Sequence, residues 1–90
     1  MEPVPVPIDG VLDLHPFRPQ DVKEILLEYL AECERRGIRE IRLIHGKGIG
    51  QLRRTVHHLL ERHPRVATFT LASELYGGHG ATIVHLLPPA

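Results

Sequence analysis

The sequence predicts one α/β domain, in the order βαβαββ with a four-stranded mixed sheet. Three observations lead there. Two stretches carry apolar residues at helical spacing, short apolar or alternating runs lie before, between and after them, and the closing run is almost continuously apolar. The ninety residues leave room for one core and no second domain. We read residues 1–9 as an extended arm and 10–88 as the domain.

Along the arm, Pro3, Pro5 and Pro7 remove ladder donors, so folding begins after them. Val11–His15 alternates, which puts Leu12 and Leu14 on one face of a first strand and Asp13 and His15 on the other. Pro16 ends it. Pro19 suits the first turn of a helix and Asp21 and Glu24 its positive end; Val22, Ile25, Leu26, Tyr29, Leu30 and Cys33 then form the apolar stripe, and Gly37 stops it. A second strand spans Ile38–Ile44, a glycine-rich turn His45–Gly50, and a second helix Gln51–Arg62, which buries Leu52, Val56, Leu59 and Leu60 and stops before Pro64. Val66–Leu71 alternates as an edge strand does, whereas Thr82–Leu87 reads as an interior strand. Ser73–Gly80 connects the two.

Charge is segregated although the net charge is zero. Residues 1–33 hold two basic and seven acidic groups, net −5, and residues 34–65 hold nine basic and three acidic groups, net +6. Such a basic middle attracts polyanions, or drives self-association through its acidic neighbour. No apolar run reaches the roughly 18 residues of a membrane span, and the single cysteine cannot form an internal disulfide; with no basic segment leading into an apolar run, we expect no secretory signal. We expect a cytoplasmic protein with no membrane partner.

If the first three strands are parallel, their carboxyl ends share one edge of the sheet, where an antiparallel fourth strand begins. Every unusual local sequence falls on that edge. Gly46, Lys47, Gly48 and Gly50 can turn backbone amides toward an anion ahead of the second helix, with Arg53 and Arg54 in its first turn. The spacing fits neither a P-loop nor a dinucleotide fingerprint, which argues against a nucleotide cofactor. Asp13 can orient His15, and His45 supplies a second imidazole. Two histidines at one phosphate can serve as base and acid for attack by a ribose 2′-hydroxyl without a metal. Gly78, His79 and Gly80 add close backbone approach and a third imidazole, and Tyr76 could stack on a base. Asp13, Glu74 and three histidines could form a cation site, but a metal is disfavoured: there is no HExxH, no cysteine pair and no second carboxylate securely placed for a two-metal site. His57 and His58 do not share a helix face and read as one packed and one surface group.

Leu12-Asp13-Leu14-His15, Ile44-His45-Gly46-Lys47-Gly48-Ile49-Gly50-Gln51-Leu52-Arg53 and Gly77-Gly78-His79-Gly80-Ala81-Thr82-Ile83-Val84-His85-Leu86 together resemble the Smr, or small MutS-related, domain over about residues 10–87. The resemblance implies a two-layer α/β sandwich similar to the C-terminal domain of translation initiation factor three, with the last strand inside the sheet beside the second. It implies endonucleolytic cleavage of nucleic acid, as DNA nicking or as RNA cleavage that includes stalled ribosomes. Asp13 and His15 match the family's D-x-H pair, and His45–Gly50 its HGxG turn. Pro16 departs from the glycine that many members carry after the first histidine. The expected activity is an endonuclease acting on RNA in preference to branched or duplex DNA, with catalytic Asp13, His15 and His45. No cofactor is expected, and a divalent cation enters only with DNA. The alternative is a module that grips nucleic acid or a ribosome surface without cutting it.

Overall fold

The computed structural model describes residues 7–48, 50–72 and 80–89. Within them the elements are β1 (Val11–Asp13), α1 (Pro19–Arg35), β2 (Glu40–Ile44), α2 (Gln51–Glu61), β3 (Val66–Leu71) and β4 (Ala81–Leu86). The sheet order is β1-β2-β4-β3: β2 runs parallel to β1, and β4 is antiparallel to both β2 and β3. The predicted order, the mixed sheet, the edge position of β3 and the interior position of β4 are all present. Among the described residues no helix is long and apolar enough to cross a membrane.

Both helices cover one face of the sheet. Leu12, Leu14, Ile41, Leu43, Val84 and Leu86 point into that layer and meet Val22, Leu26, Tyr29, Leu30 and Cys33 of α1 and Val56 and Leu60 of α2. The alternate positions Val11, Asp13, Arg42, Ile44, Ile83 and His85 are more accessible and form an open second face. Removing one buried leucine from such a core costs about 2–5 kcal/mol. Ile25, Leu52 and Leu59, read as core, are only half-buried at its margin.

Several boundaries differ from those predicted, for reasons visible in the backbone. Gly37, at φ 75°, closes α1: its N–H donates to Glu34 O, and the Ile38 N–H donates to Cys33 O at 2.9 Å. These two bonds make a Schellman cap, so the Ile38 amide serves the helix and β2 starts only at Glu40. The start of β1 is pinned by Tyr29, whose hydroxyl accepts from Gly10 N–H and donates to Val11 O. The arm read over residues 1–9 falls outside the described residues up to position 6; Ile8 already packs against the core, and Asp9 Oδ1 accepts the Val11 N–H.

Candidate functional site

Asp13, Ile44 and Ala81 stand side by side across β1, β2 and β4 at the carboxyl edge of β1 and β2. The ladder continues just past them. Leu14 N–H donates to Ile44 O, and the N–H groups of both His45 and Gly46 donate to Gly80 O at 2.9 Å. Gly80 lies close against the turn: a Cβ there would be in ordinary contact with Lys47 Cγ at 3.4 Å and with the Gly46 backbone at 3.6 Å. Three distant segments therefore meet at one rim. Gly78 and His79, together with Ser73, Glu74, Tyr76 and Gly77, lie outside the described residues.

On the open face, Asp13 and His15 form one unit. Asp13 Oδ1 lies 2.6 Å from His15 Nδ1 and also accepts the His15 backbone N–H at 3.0 Å. A carboxylate accepts, so it selects the Nδ1–H tautomer and leaves the Nε2 lone pair without a partner among the described residues. The His15 side chain is 64% exposed and that of Asp13 43%, so that lone pair is open to an incoming group. Pro16 is accommodated because the turn is closed by Phe17 N–H on Leu14 O, a bond that needs nothing from residue 16.

The glycine-rich turn leads into an uncapped helix. Gly50, the residue before α2, has φ 84° and offers no side-chain cap, and the first turn of α2 holds no acidic residue. The first helical bond runs from Arg54 N–H to Gly50 O, so the preceding amides of Gln51, Leu52 and Arg53 have no partner within the helix. A Cβ built on Gly50 would lie 3.0 Å from Arg53 Nη2 and 3.4 Å from Arg54 Nη1. Two guanidiniums thus curl over the positive end of a helix dipole, with Lys47 and Gly48 exposed alongside. The arginine ion pairs among the described residues involve Arg18, Arg35, Arg36 and Arg65 instead. An arrangement so concentrated in positive charge is relieved by an anion.

His45 goes elsewhere. It shares the strand parity of Ile41 and Leu43 and is buried on the helix side, 4% exposed. Its Nε2 lies 2.8 Å from Thr82 Oγ1 and its Nδ1 3.1 Å from Gly46 O. His57 Nε2 reaches the same hydroxyl at 2.8 Å, with the two imidazole rings 6.1 Å apart and Phe69 packed against His57. Desolvation by burial pushes both imidazoles below the usual histidine pKa; the backbone bond to Gly46 partly offsets this at His45, and His45 and Arg53 add to it at His57. The expectation that His15 and His45 flank one phosphate is corrected in direction: the sheet turns their rings to opposite faces. The sequence reading made one of His57 and His58 a packed group, and it is His57; its partner Thr82 was missed, because only the β2–β4 pairing brings them together. Among the described residues no group of three His, Cys, Asp or Glu side chains is placed to hold a metal ion.

The model of the Smr domain matches residues 12–87. The chain belongs to the Smr domain family. This Smr domain is 43% identical over 76 residues to the protein named Endonuclease MutS2 of Solidesulfovibrio magneticus, covering 84% of the chain but 10% of that protein. With Endonuclease MutS2 of Thermus thermophilus it shares 44% identity over 70 residues, 74% of the chain and 9% of the relative. It thus spans about a tenth of the length of the curated relatives it matches. The crystal structure of the Smr domain of Thermus thermophilus MutS2 superposes with a TM-score of 0.83 at 35% identity, covering 88% of this chain and 99% of that one. YdaL, a stand-alone small MutS-related protein from Escherichia coli, has a TM-score of 0.81 at 24% identity, covering 89% and 66%, a likeness of fold.

Proposed function

We propose that this Smr domain is an endonuclease that cuts a phosphodiester at the carboxyl rim of its sheet, with RNA preferred to DNA. The observation that carries the reading is the exposed Asp13–His15 pair beside an α2 N-terminus crowned by Arg53 and Arg54. The name endonuclease borne by the MutS2 relatives supports the same class of reaction.

In this mechanism the amides that open α2 and the Gly46, Lys47, Gly48 and Gly50 turn seat the phosphate, and Lys47, Arg53 and Arg54 neutralise it. His15 Nε2 takes the proton of the 2′-hydroxyl, and Asp13 stabilises the imidazolium that results. The 2′-oxygen bonds to phosphorus, the 5′-oxygen leaves and takes a proton from water, and the products are a 2′,3′-cyclic phosphate and a 5′-hydroxyl. An internal nucleophile already in place spares the step a metal-activated water. With DNA, a divalent cation on Asp13 would have to activate water instead.

The second reading, a grip on nucleic acid or ribosome surface without cutting, uses the same turn and arginines and leaves His15 idle. Labelled single-stranded RNA, branched DNA and duplex DNA, each with and without EDTA, separate the two. Cleavage that leaves a 2′,3′-cyclic phosphate and is lost in His15→Ala supports the enzyme. Salt-dependent binding with no product supports the grip.

A further inference from the structure

The hydrogen bonds around His45 have only one consistent direction. Gly46 O can only accept, so His45 Nδ1 carries the hydrogen, and in the neutral ring Nε2 must then accept from the Thr82 hydroxyl. That hydroxyl has given its one hydrogen, so its contact with His57 is the acceptance of His57 Nε2–H. The chain of donation runs from α2 through β4 to the end of β2. It finishes on the peptide that opens the glycine-rich turn. In a trans peptide the carbonyl and the following N–H point opposite ways, and among the described residues every peptide is trans. Holding Gly46 O against the buried imidazole therefore turns the Lys47 N–H away from the core, to the side where the exposed Lys47 lies.

We infer that Thr82 and His57 are positioning residues for the phosphate-binding turn, acting through His45. The inference rests on the phosphate site proposed above and deepens it: His45 serves by orienting an amide donor rather than by exchanging a proton with substrate. Gly46, at φ 84° and with no described atom within 4 Å of where a Cβ would stand, can swing its peptide when that anchor is lost. Both imidazoles are kept neutral by burial, the protonation state that the relay requires.

Two readouts test it without relying on cleavage: ring ¹⁵N shifts, which report the tautomer of each histidine, and affinity for a labelled oligouridylate. In the wild type, His45 should be the Nδ1–H and His57 the Nε2–H tautomer. Thr82→Val should lose the His45 preference and weaken oligouridylate binding about three- to tenfold, the scale of one lost hydrogen bond. Thr82→Ser should recover most of that loss. His57→Leu should match Thr82→Val, the double variant should add little to either, and His57→Gln, which keeps an N–H at the same end, should bind better than His57→Leu. The His57 pair decides the matter should Thr82→Val fail to fold. A wild-type His45 in the Nε2–H form would overturn the inference, as would Thr82→Val or His57→Leu binding at the wild-type level. A wild type that binds but never cuts removes the endonuclease and leaves the inference standing. One that cuts with Thr82→Val unimpaired does the reverse.

Discussion

His15 and His45 follow the ends of neighbouring parallel strands and meet opposite fates. His15 is on the solvent side of the sheet and, among the described residues, has only Asp13 for a partner and nothing on its Nε2. His45, of the other parity, is sealed beneath α2 with both ring nitrogens engaged. A displacement of one residue along a strand is the whole difference, because side chains alternate between faces. The same residue type is thereby made a reagent at one site and a fixture at the other.

The comparison is broken most sharply by removing each imidazole in turn. His15→Ala should lower cleavage about 10²- to 10⁴-fold, the range for losing a general base. Its stability should stay within about 0.5 kcal/mol of the wild type, because the side chain is largely exposed. His45→Ala should show the opposite profile: a loss of about 1–3 kcal/mol in chemical denaturation, as the Thr82 hydroxyl and Gly46 carbonyl lose their partner and a cavity opens. If the two substitutions exchanged these profiles, the division of labour between the faces would be wrong.

Gly50→Ala sharpens the contrast from the turn that joins them. An alanine at φ 84° is strained by about 1–2 kcal/mol, so denaturation should register a loss near that size. The new Cβ would also meet Arg53 Nη2 at 3.0 Å and move that guanidinium off the helix end. Oligonucleotide affinity and its salt dependence should therefore fall together, by the share of one phosphate contact. Unchanged salt dependence would mean that Arg53 is not a phosphate ligand.

How far the sequence could be read follows the range of the interactions involved. The stripe of α1, the closure at Gly37 and the interior character of β4 depend on spacing within one element, and they were legible. So was the Asp13–His15 pair, an i, i+2 relation on one strand. The His45–Thr82–His57 relay was not: its members are 37 and 25 residues apart, and meet only through the order β1-β2-β4-β3 and the seating of α2. The half-burial of Leu52 and Leu59 was hidden for a related reason. Periodicity gives the direction of an apolar stripe, whereas the neighbouring layer sets how much of it is covered.

The smallest expected effect is a dependence of stability on pH, and its sign follows from the burial of three imidazoles. Burial depresses the folded-state pKa of His45, His57 and His63 below 6.5, with Arg53 contributing at the first two, Glu61 opposing at His57, and Glu34 opposing and Arg65 assisting at His63. Above that value the imidazoles are neutral folded or unfolded, and stability is flat on their account. As pH falls below 6.5 the unfolded chain takes up protons that the folded chain refuses, so stability declines until the depressed folded pKa values are passed. Denaturant midpoints from pH 7.5 down to pH 5 should therefore fall gradually. His57→Gln should flatten part of that slope, since it removes one of the three groups and keeps an N–H for Thr82. A slope left intact by His57→Gln would show that the His57 imidazole is not one of its sources.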